Sequence, residues 1–166
     1  MFEIFIRKAQ KSNFQDFYNL VYFASGKVLD SIFKDHTKDV LKALYQNEKN
    51  LYSFKHTIFI EVNGKIILKN LIKAYTKIGK VLRDEYYISN VAIYPEFRGS
   101  GLGTKLMLYA EQTASKRNLK YLSLDVEREN ETAINLYKKL GYKITEEKTI
   151  DLGEVFSFFR MVKEIR

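Results

Sequence analysis

The chain contains no cysteine and only two histidines among its 166 residues. Without cysteine it forms no disulfide, no thiolate metal site and no cysteine nucleophile. His36 and His56 lie far apart in the sequence without ligand-like neighbours, so we interpret both as surface or loop residues. No apolar stretch reaches the length of a membrane span, and Arg7, Lys8 and Lys11 interrupt the N-terminal one, where a secretion signal would lie. These absences favour a cytoplasmic protein without a metal site.

Length and charge set the next limits. The chain suits a single domain over residues 1–166, long enough to bury one core. Its formal net charge is +8 at pH 7. A basic excess of this kind is typical both of a lysine-rich solvated surface and of a protein that binds a polyanion. Composition therefore leaves contacts with nucleic acid or the ribosome open.

The most informative segment is an apolar run at 88–93 that stops at Pro95 and continues into a glycine-rich turn. Three glycines follow: Gly99, Gly101 and Gly103. The next apolar residues recur every fourth position, as on one face of a helix: Leu102, Leu106 and Ala110. Glycine lets a ligand approach the backbone closely, and the N–H groups at the start of a helix attract anions. The segment predicts a site for a phosphate-bearing ligand.

The order of residues separates this loop from two common phosphate sites. A P-loop needs lysine directly after its last glycine, whereas Gly103 is followed by Thr104 and then Lys105. A dinucleotide site needs Gly-x-Gly-x-x-Gly, and this chain has Gly-x-Gly-x-Gly. The run Arg98-x-x-Gly101-x-Gly103 instead resembles the pyrophosphate-binding signature of the GNAT superfamily of acetyl-CoA-dependent N-acetyltransferases. The alternative is a plain strand-to-helix turn.

A second motif of the same family lies further along the chain. Residues 124–142 are similar to the family's pattern of a strand followed by Asn-x-x-Ala-x-x-Leu-Tyr and a later glycine. The resemblance covers 86–164 well, whereas 1–85 match only in the order of elements. It implies the α/β GNAT fold, a mixed and mostly antiparallel central sheet that is splayed at the cofactor cleft and flanked by helices.

Hydrophobic periodicity predicts the elements of such a fold. Strands are predicted at 2–7, at 57–62 before a turn at Asn63-Gly64, at 120–126, and near 142–151 and 154–163. Helices are predicted around 14–22, 40–45, 102–117 and 131–140. The resulting order, which is strand, two helices, strands, helix, strand, helix, strands, is the α/β order of the GNAT fold.

The segment after Lys65 departs from that plan. Residues 65–68 leave at most a very short third strand, and 68–82 are predicted to form a helix with apolar residues on one side. Four lysines form a stripe opposite: Lys69, Lys73, Lys77 and Lys80. We interpret the stripe as a solvated helix face. The alternatives are an insert that covers the acceptor site or contacts an acidic partner, or residues absent from the printed chain.

The resemblance implies where acetyl-CoA binds. Its pyrophosphate is expected on the loop formed by Arg98, Gly99, Ser100, Gly101, Leu102, Gly103 and Thr104. Val91 and Ile93 are expected to offer backbone groups to the pantetheine arm in the splayed gap, while their side chains belong to the core. Asn130 is expected to bond the pantetheine amides, although the cap of a helix explains it equally well.

The resemblance also implies candidates for proton transfer. Tyr137 matches the family's general acid, and a phenol with a pKa of about 10 stays protonated at neutral pH and can donate to a departing thiolate. Its alternative is a core aromatic beside Ala133 and Leu140. Asp125 is our first choice for the base, because a carboxylate takes this place in the ribosomal-protein alanine acetyltransferase branch. Its alternative is a solvent-facing strand residue. Another branch places its glutamate where this chain has Tyr87.

Two functions follow from these residues. One is an N-acetyltransferase that acts on a peptide N-terminus, a lysine or a small amine by direct attack in a ternary complex. The other is a GNAT-fold module that binds CoA or a partner without catalysis. The Arg98 loop together with Tyr137 favours the enzyme. The sequence is compatible with a monomer and with a homodimer.

Overall fold

The computed structural model describes residues 4–50, 52–62, 65–72 and 84–165. The strands are β1 (Ile4–Lys8), β2 (Thr57–Val62), β3 (Lys65–Ile72), β4 (Glu85–Ile93), β5 (Tyr121–Glu127), β6 (Lys143–Asp151) and β7 (Val155–Glu164). The helices are α1 (Phe14–Phe33), α2 (Thr37–Gln46), α3 (Leu102–Ser115) and α4 (Glu131–Lys139). One sheet has the order β1-β2-β3-β4-β5-β7-β6, and among its described pairs β4 and β5 alone run parallel. This mixed, mostly antiparallel sheet confirms the predicted fold class.

Helices cover both faces of the sheet because β2 and β4 carry buried apolar residues on both sides. Even-numbered residues of β5, such as Leu122 and Leu124, pack with Met107 of α3 and Ile134 of α4. On the opposite face, Phe59 of β2 packs with α1 and α2. Burial of each large apolar side chain contributes about 1.5–3 kcal/mol to folding. The two helix pairs therefore anchor the centre of the sheet from both sides.

α1 is interrupted at Ser25, whose φ of −146° and ψ of 19° are not helical. The Ser25 hydroxyl donates a hydrogen bond of 3.0 Å to Oδ1 of Asn90 in β4. A serine side chain that bonds elsewhere commonly accompanies a bend in a helix. At the bend, this hydrogen bond connects α1 to β4.

The predicted third strand is wrong in length. β3 has eight residues, pairs with β2 over Thr57↔Leu71 to Val62↔Lys65, and pairs with β4 on its other side. The predicted helix is therefore wrong for 68–72, since a strand with two neighbours satisfies its backbone in the ladders. The rest of that segment, 73–83, and the turn at Asn63-Gly64 lie outside the described residues. The other predicted strands and helices are confirmed, with ends shifted by a few residues except at α1, which continues to Phe33.

Candidate active site

The sheet opens between β4 and β5. The two strands pair from Glu85↔Tyr121 to Ile88↔Leu124, and no later pair joins them within the described residues. β4 nevertheless continues to Ile93 and β5 to Glu127. The ends of the two strands therefore separate, as the predicted splay requires.

An extra residue in β4 accompanies the opening. Two steps along β3, from Ile72 to Asn70, correspond to three steps along β4, from Ile88 to Val91. A bulge of this kind bends the strand that carries it and locally disrupts pairing. The backbone of β4 beyond the bulge pairs with β3 but has no ladder toward β5 within the described residues. Its polar groups on that side face a cleft of about 840 Å³.

Ten of the twelve residues predicted for the site line this cleft: Val91, Ile93, Arg98, Gly99, Gly101, Leu102, Gly103, Thr104, Asn130 and Tyr137. The structure thus brings the glycine loop, the end of β4 and the exposed side of α4 together. Ser100 and Asp125 lie outside the cleft lining. The Ser100 hydroxyl donates to the carbonyl of Phe97 at 2.5 Å and so closes the turn instead.

The glycine loop leads directly into the first turn of α3. Gly99 and Gly101 have φ values of +74° and +77°, a region that side chains with a Cβ rarely adopt, and no heavy atom lies within 4 Å of the Cβ position of either. Gly103 differs, because a Cβ there would lie 3.1 Å from Cδ2 of Leu136 in α4. Gly101 and Gly99 shape the open loop, whereas Gly103 lets α3 pack closely on α4.

Arg98 stands at the edge of the loop. Its Nε donates to the carbonyl of Ile93 at 3.4 Å, and its guanidinium lies 5.1 Å from the centroid of the Phe23 ring of α1. Phe23 is 46% exposed and also lines the cleft. The cationic side chain therefore connects the glycine loop to α1 across the cleft mouth.

Tyr137 is both a core residue and a cleft residue. It is 6% exposed, and its ring centroid lies 5.8 Å from that of Tyr142. Its hydroxyl has no hydrogen-bond partner among the described residues. Burial raises the pKa of the phenol to about 12. The group therefore remains a proton donor at neutral pH, and both interpretations made from the sequence describe part of its position.

Asn130 caps α4, since its Oδ1 accepts a hydrogen bond of 3.1 Å from the backbone N–H of Ala133. The cap satisfies one of the unpaired N–H groups of the helix start. The amide nitrogen of Asn130 has no partner among the described residues, and the residue lines the cleft. The cap therefore accounts for one end of this side chain and leaves its donor end at the cleft.

Asp125 belongs to an ion-pair network on the face of β5 opposite to α3 and α4. Its Oδ2 accepts from the Tyr87 hydroxyl at 2.9 Å and from Nη1 of Arg160 at 3.2 Å. Nζ of Lys148 lies 3.5 Å from its Oδ1. Arg160 also donates to Glu85 at 2.7 Å. Asp125 is thus an interior network residue and not a solvent-facing one.

Glu127 is the acidic residue that the sequence analysis did not single out. It ends β5, two residues after Asp125, and it lines the cleft together with Tyr137. Burial raises the pKa of its carboxyl, Glu129 raises it further, and Lys27 lowers it. The sequence could have indicated Glu127, because it lies two residues after Asp125 and therefore on the same face of the strand, nearer to the end of β5 that borders the opening.

The sequence of the chain matches a known protein family. The sequence profile of the acetyltransferase (GNAT) family matches residues 27–142, which is more than half of the chain. The chain therefore belongs to the acetyltransferase (GNAT) family. It is 31% identical over 174 aligned positions to an uncharacterized N-acetyltransferase of Methanocaldococcus jannaschii, covering 96% of this chain and 66% of that protein. It is 35% identical over 109 positions to the ribosomal protein bS18-alanine N-acetyltransferase of Escherichia coli K12, covering 61% and 74%.

Solved structures show the same fold. The crystal structure of the Escherichia coli ribosomal-protein-S18-alanine N-acetyltransferase matches with a TM-score of 0.70 at 22% identity, covering 98% of this chain and 94% of that one. The PaiA N-acetyltransferase of Thermoplasma acidophilum in complex with coenzyme A matches with a TM-score of 0.67 at 18% identity, covering 98% and 99%. At these identities the likeness concerns the fold.

The matched regions cover only part of some relatives: 66% of the length of the Methanocaldococcus protein and 54% of that of a Bacillus subtilis protein. In the part of the chain that the structure describes, no helix has both the length and the apolar character needed to cross a membrane.

Proposed function

We propose that the protein is an N-acetyltransferase that transfers the acetyl group of acetyl-CoA to a primary amine by direct attack in a ternary complex. The observation that carries this proposal is the opening between β4 and β5, where the glycine loop and the Tyr137 side chain line one cleft. The loop would hold the donor, and the phenol would act at the reacting end.

The residues present fit the diphosphate of acetyl-CoA. Gly99 and Gly101 leave the space around their Cα atoms open, so an anion can reach the backbone there. The N–H groups of the first turn of α3 have no partners within the helix and carry the positive end of its dipole. Arg98 adds a cation beside them. The coenzyme A in the Thermoplasma structure supports the same ligand class.

The pantetheine arm would lie in the opening itself. The stretch from Val91 to Ile93 has no ladder toward β5 in the described structure, and backbone groups left without partners seek a ligand or water. Asn130 lines the same cleft, and its amide nitrogen can donate to the pantetheine amides. The roles of Val91 and Ile93 as backbone partners, and of Asn130 as a partner of the pantetheine amides, remain predictions.

Acetyl-CoA supplies the acyl carbon, to which the amine nitrogen forms a bond while the carbon–sulfur bond breaks and the sulfur gains a proton. Tyr137 would donate that proton, because a phenol with a pKa of about 12 is fully protonated at neutral pH. The amine must lose its own proton to a base or to water, which costs about 1 kcal/mol for an α-amine near pKa 8. The sequence predicts Asp125 for this role, and in the structure its carboxylate accepts hydrogen bonds from Tyr87 and Arg160.

The first acceptor to test is a peptide with an N-terminal alanine, because the Escherichia coli relative is an alanine N-acetyltransferase of ribosomal protein bS18. Free CoA can be followed continuously with a thiol reagent, since the protein itself has no cysteine to react. Release of CoA that depends on the acceptor supports the enzyme. Tight binding of acetyl-CoA without release, across peptides, lysine and small amines, would establish the alternative of a binding module. The cytoplasmic location and the oligomeric state stay predictions.

A further inference from the structure

Two carboxylates lie on the same face of β5, and the structure gives them different surroundings. Asp125 is held by three neighbours, the Tyr87 hydroxyl, Arg160 and Lys148. The Glu127 carboxylate has neither a hydrogen bond nor an ion pair among the described residues. A carboxylate that already accepts hydrogen bonds from two side chains has fewer lone pairs left for an incoming amine than one that accepts none. The geometry therefore separates a network residue from an available base.

Glu127 also has the better position. It lines the cleft with Tyr137 and Val91, whereas Asp125 lies outside the lining. The predicted opening for the donor lies between β4 and the end of β5, where Glu127 is the last strand residue. A base must come within hydrogen-bond reach of the proton that it removes. Glu127 satisfies this condition for an amine that enters the cleft.

Among the described residues, two charged groups act on Glu127: Lys27 of α1 and Glu129 of the turn after β5. Three cations elsewhere on this part of the sheet are paired with other carboxylates: Arg128 with Glu147, Lys148 with Asp125 and Glu146, and Arg160 with Asp125 and Glu85. Burial and Glu129 raise the pKa of the Glu127 carboxyl, which makes its carboxylate a stronger base, while Lys27 acts in the opposite direction.

The same surroundings select a kind of amine. Lys27 repels a second positive charge close to the first, so a polycation is disfavoured beside Glu127. Phe158 of β7 is the cross-strand partner of Glu127 and shares its face of the sheet, and Phe23 lines the cleft from α1. A carboxylate beside two aromatic side chains suits one ammonium group next to an uncharged segment, as at the N-terminus of a peptide.

We propose that Glu127 binds the amine of a peptide N-terminus and takes the proton that this amine loses on acetylation. The inference rests on the proposed acetyltransferase function. The amine nitrogen forms its bond to the acyl carbon, its proton passes to the Glu127 carboxylate, and the proton that the sulfur gains comes from Tyr137. The carbon–sulfur bond breaks in the same step, so the sulfur leaves as the CoA thiol. The Glu127 carboxyl then returns its proton to water and the Tyr137 phenolate takes one back from water, so no further reactant is needed.

The test compares three variants with the wild type on a peptide with N-terminal alanine. Glu127→Gln should lower kcat/KM roughly 10²-fold at pH 7 with acetyl-CoA affinity unchanged, because the amide cannot accept the proton. The loss should shrink below about tenfold at pH 9, where an α-amine near pKa 8 has already lost its proton to water. Glu131→Gln, at an exposed position at the start of α4, is the matched control and should keep wild-type activity. Asp125→Asn should show no such recovery at high pH.

Each outcome has a separate meaning. A Glu127→Gln variant within twofold of the wild type at pH 7 overturns the role of Glu127 and leaves the proposed function standing. A loss in Asp125→Asn that recovers at high pH, with Glu127→Gln unaffected, assigns the proton to Asp125. A loss in Glu127→Gln that stays constant with pH also overturns the proton transfer. A wild type that binds acetyl-CoA but releases no CoA with any acceptor overturns both the proposed function and this inference.

Discussion

The hydroxyl of Tyr87 in β4 donates a hydrogen bond of 2.9 Å to Oδ2 of Asp125 in β5. The guanidinium of Arg160 lies 4.7 Å from the centroid of the Tyr87 ring and 3.2 Å from the same carboxylate oxygen. The family resemblance implies a carboxylate at one or other of these two strand positions in different branches, and in this chain the two side chains are joined by a hydrogen bond. The contact lies where the pairing of β4 and β5 ends, so it holds the two strands together just before they separate.

We expect Asp125→Asn to destabilise the protein. Arg160 is 7% exposed and Asp125 10%, so the substitution leaves a buried cation with one partner fewer. A hydrogen bond between charged groups is worth about 1.5–3 kcal/mol, and the free energy of unfolding should fall by about that amount. Urea unfolding of the variant measures the difference in the free energy of unfolding, and Asp39→Asn at an exposed position of α2 is the control. Equal losses in both variants would contradict the network's role.

Gly101→Ala should weaken acetyl-CoA binding at least about tenfold. At a φ of +77° an added Cβ is strained, and the loop must change shape at the point where the diphosphate would meet the backbone. Gly153→Ala is the matched control, because Gly153 has a φ of +89° and open space around it but lies in the β6–β7 turn. Calorimetry on both folded variants decides the matter. Unchanged affinity in Gly101→Ala would place the donor elsewhere.

Gly103→Asp should also weaken acetyl-CoA binding at least about tenfold, for two reasons. It adds a negative charge at the start of α3, where an anion is expected to bind. Its Cβ would also lie 3.1 Å from Leu136, so α3 and α4 must move apart. Gly103→Ala keeps the steric effect without the charge, and the difference in acetyl-CoA affinity between the two variants measures the electrostatic part. Two equal affinities would assign the whole effect to packing.

Tyr137→Phe should lower kcat roughly 10²-fold or more and leave acetyl-CoA affinity nearly unchanged. The substitution removes a proton donor that acts in the transition state while the ring keeps its packing. Tyr142→Phe removes a hydroxyl from the adjacent buried ring outside the cleft lining, and it should retain kcat. Steady-state CoA release gives both values. Wild-type turnover in Tyr137→Phe would leave this residue with a core role alone.

The pH profile of kcat should show no loss from Tyr137 below pH 10. Burial raises the pKa of this phenol to about 12, and an acid with a raised pKa keeps its proton to higher pH. Activity should therefore rise as the amine loses its proton and then level off. Profiles of the wild type and Tyr137→Phe from pH 6 to 10 test this. A fall below pH 10 in the wild type that is missing in the variant would contradict the raised pKa.

Spermidine should be a poor acceptor, and a peptide N-terminus or a neutral or acidic amine should be preferred. A polycation needs carboxylates around it. Asp30, three residues after Lys27 in α1, already accepts hydrogen bonds from Tyr22 at 2.6 Å and from Thr37 at 2.8 Å. Competition between spermidine and a short peptide for acetylation gives the preference. Efficient spermidine acetylation would overturn the argument from charge.

Local patterns predicted much of the fold. The alternation in 2–7 predicts the strand β1. The apolar residues at every fourth position from Leu102 reflect which face of α3 is buried, and burial follows from the hydrophobic effect. The helix prediction was wrong for 68–72 because the apolar and lysine residues there fit the spacing of a helix as well as that of a strand. Hydrogen bonds to β2 and β4 on both sides decide such a segment, and those partners are distant in the sequence.

The amino-acid sequence by itself determined the phosphate-type loop at Arg98 to Thr104 and the tyrosine on α4, because glycine, arginine and phenol chemistry at fixed spacing is local. Only the tertiary structure decided how Asp125 and Glu127 differ. The two lie on one strand face at neighbouring positions, and their surroundings come from Tyr87, Arg160 and Lys27 on other elements. A carboxylate's basicity depends on the charges and solvent around it. Those are set by packing between distant segments, which no local pattern contains.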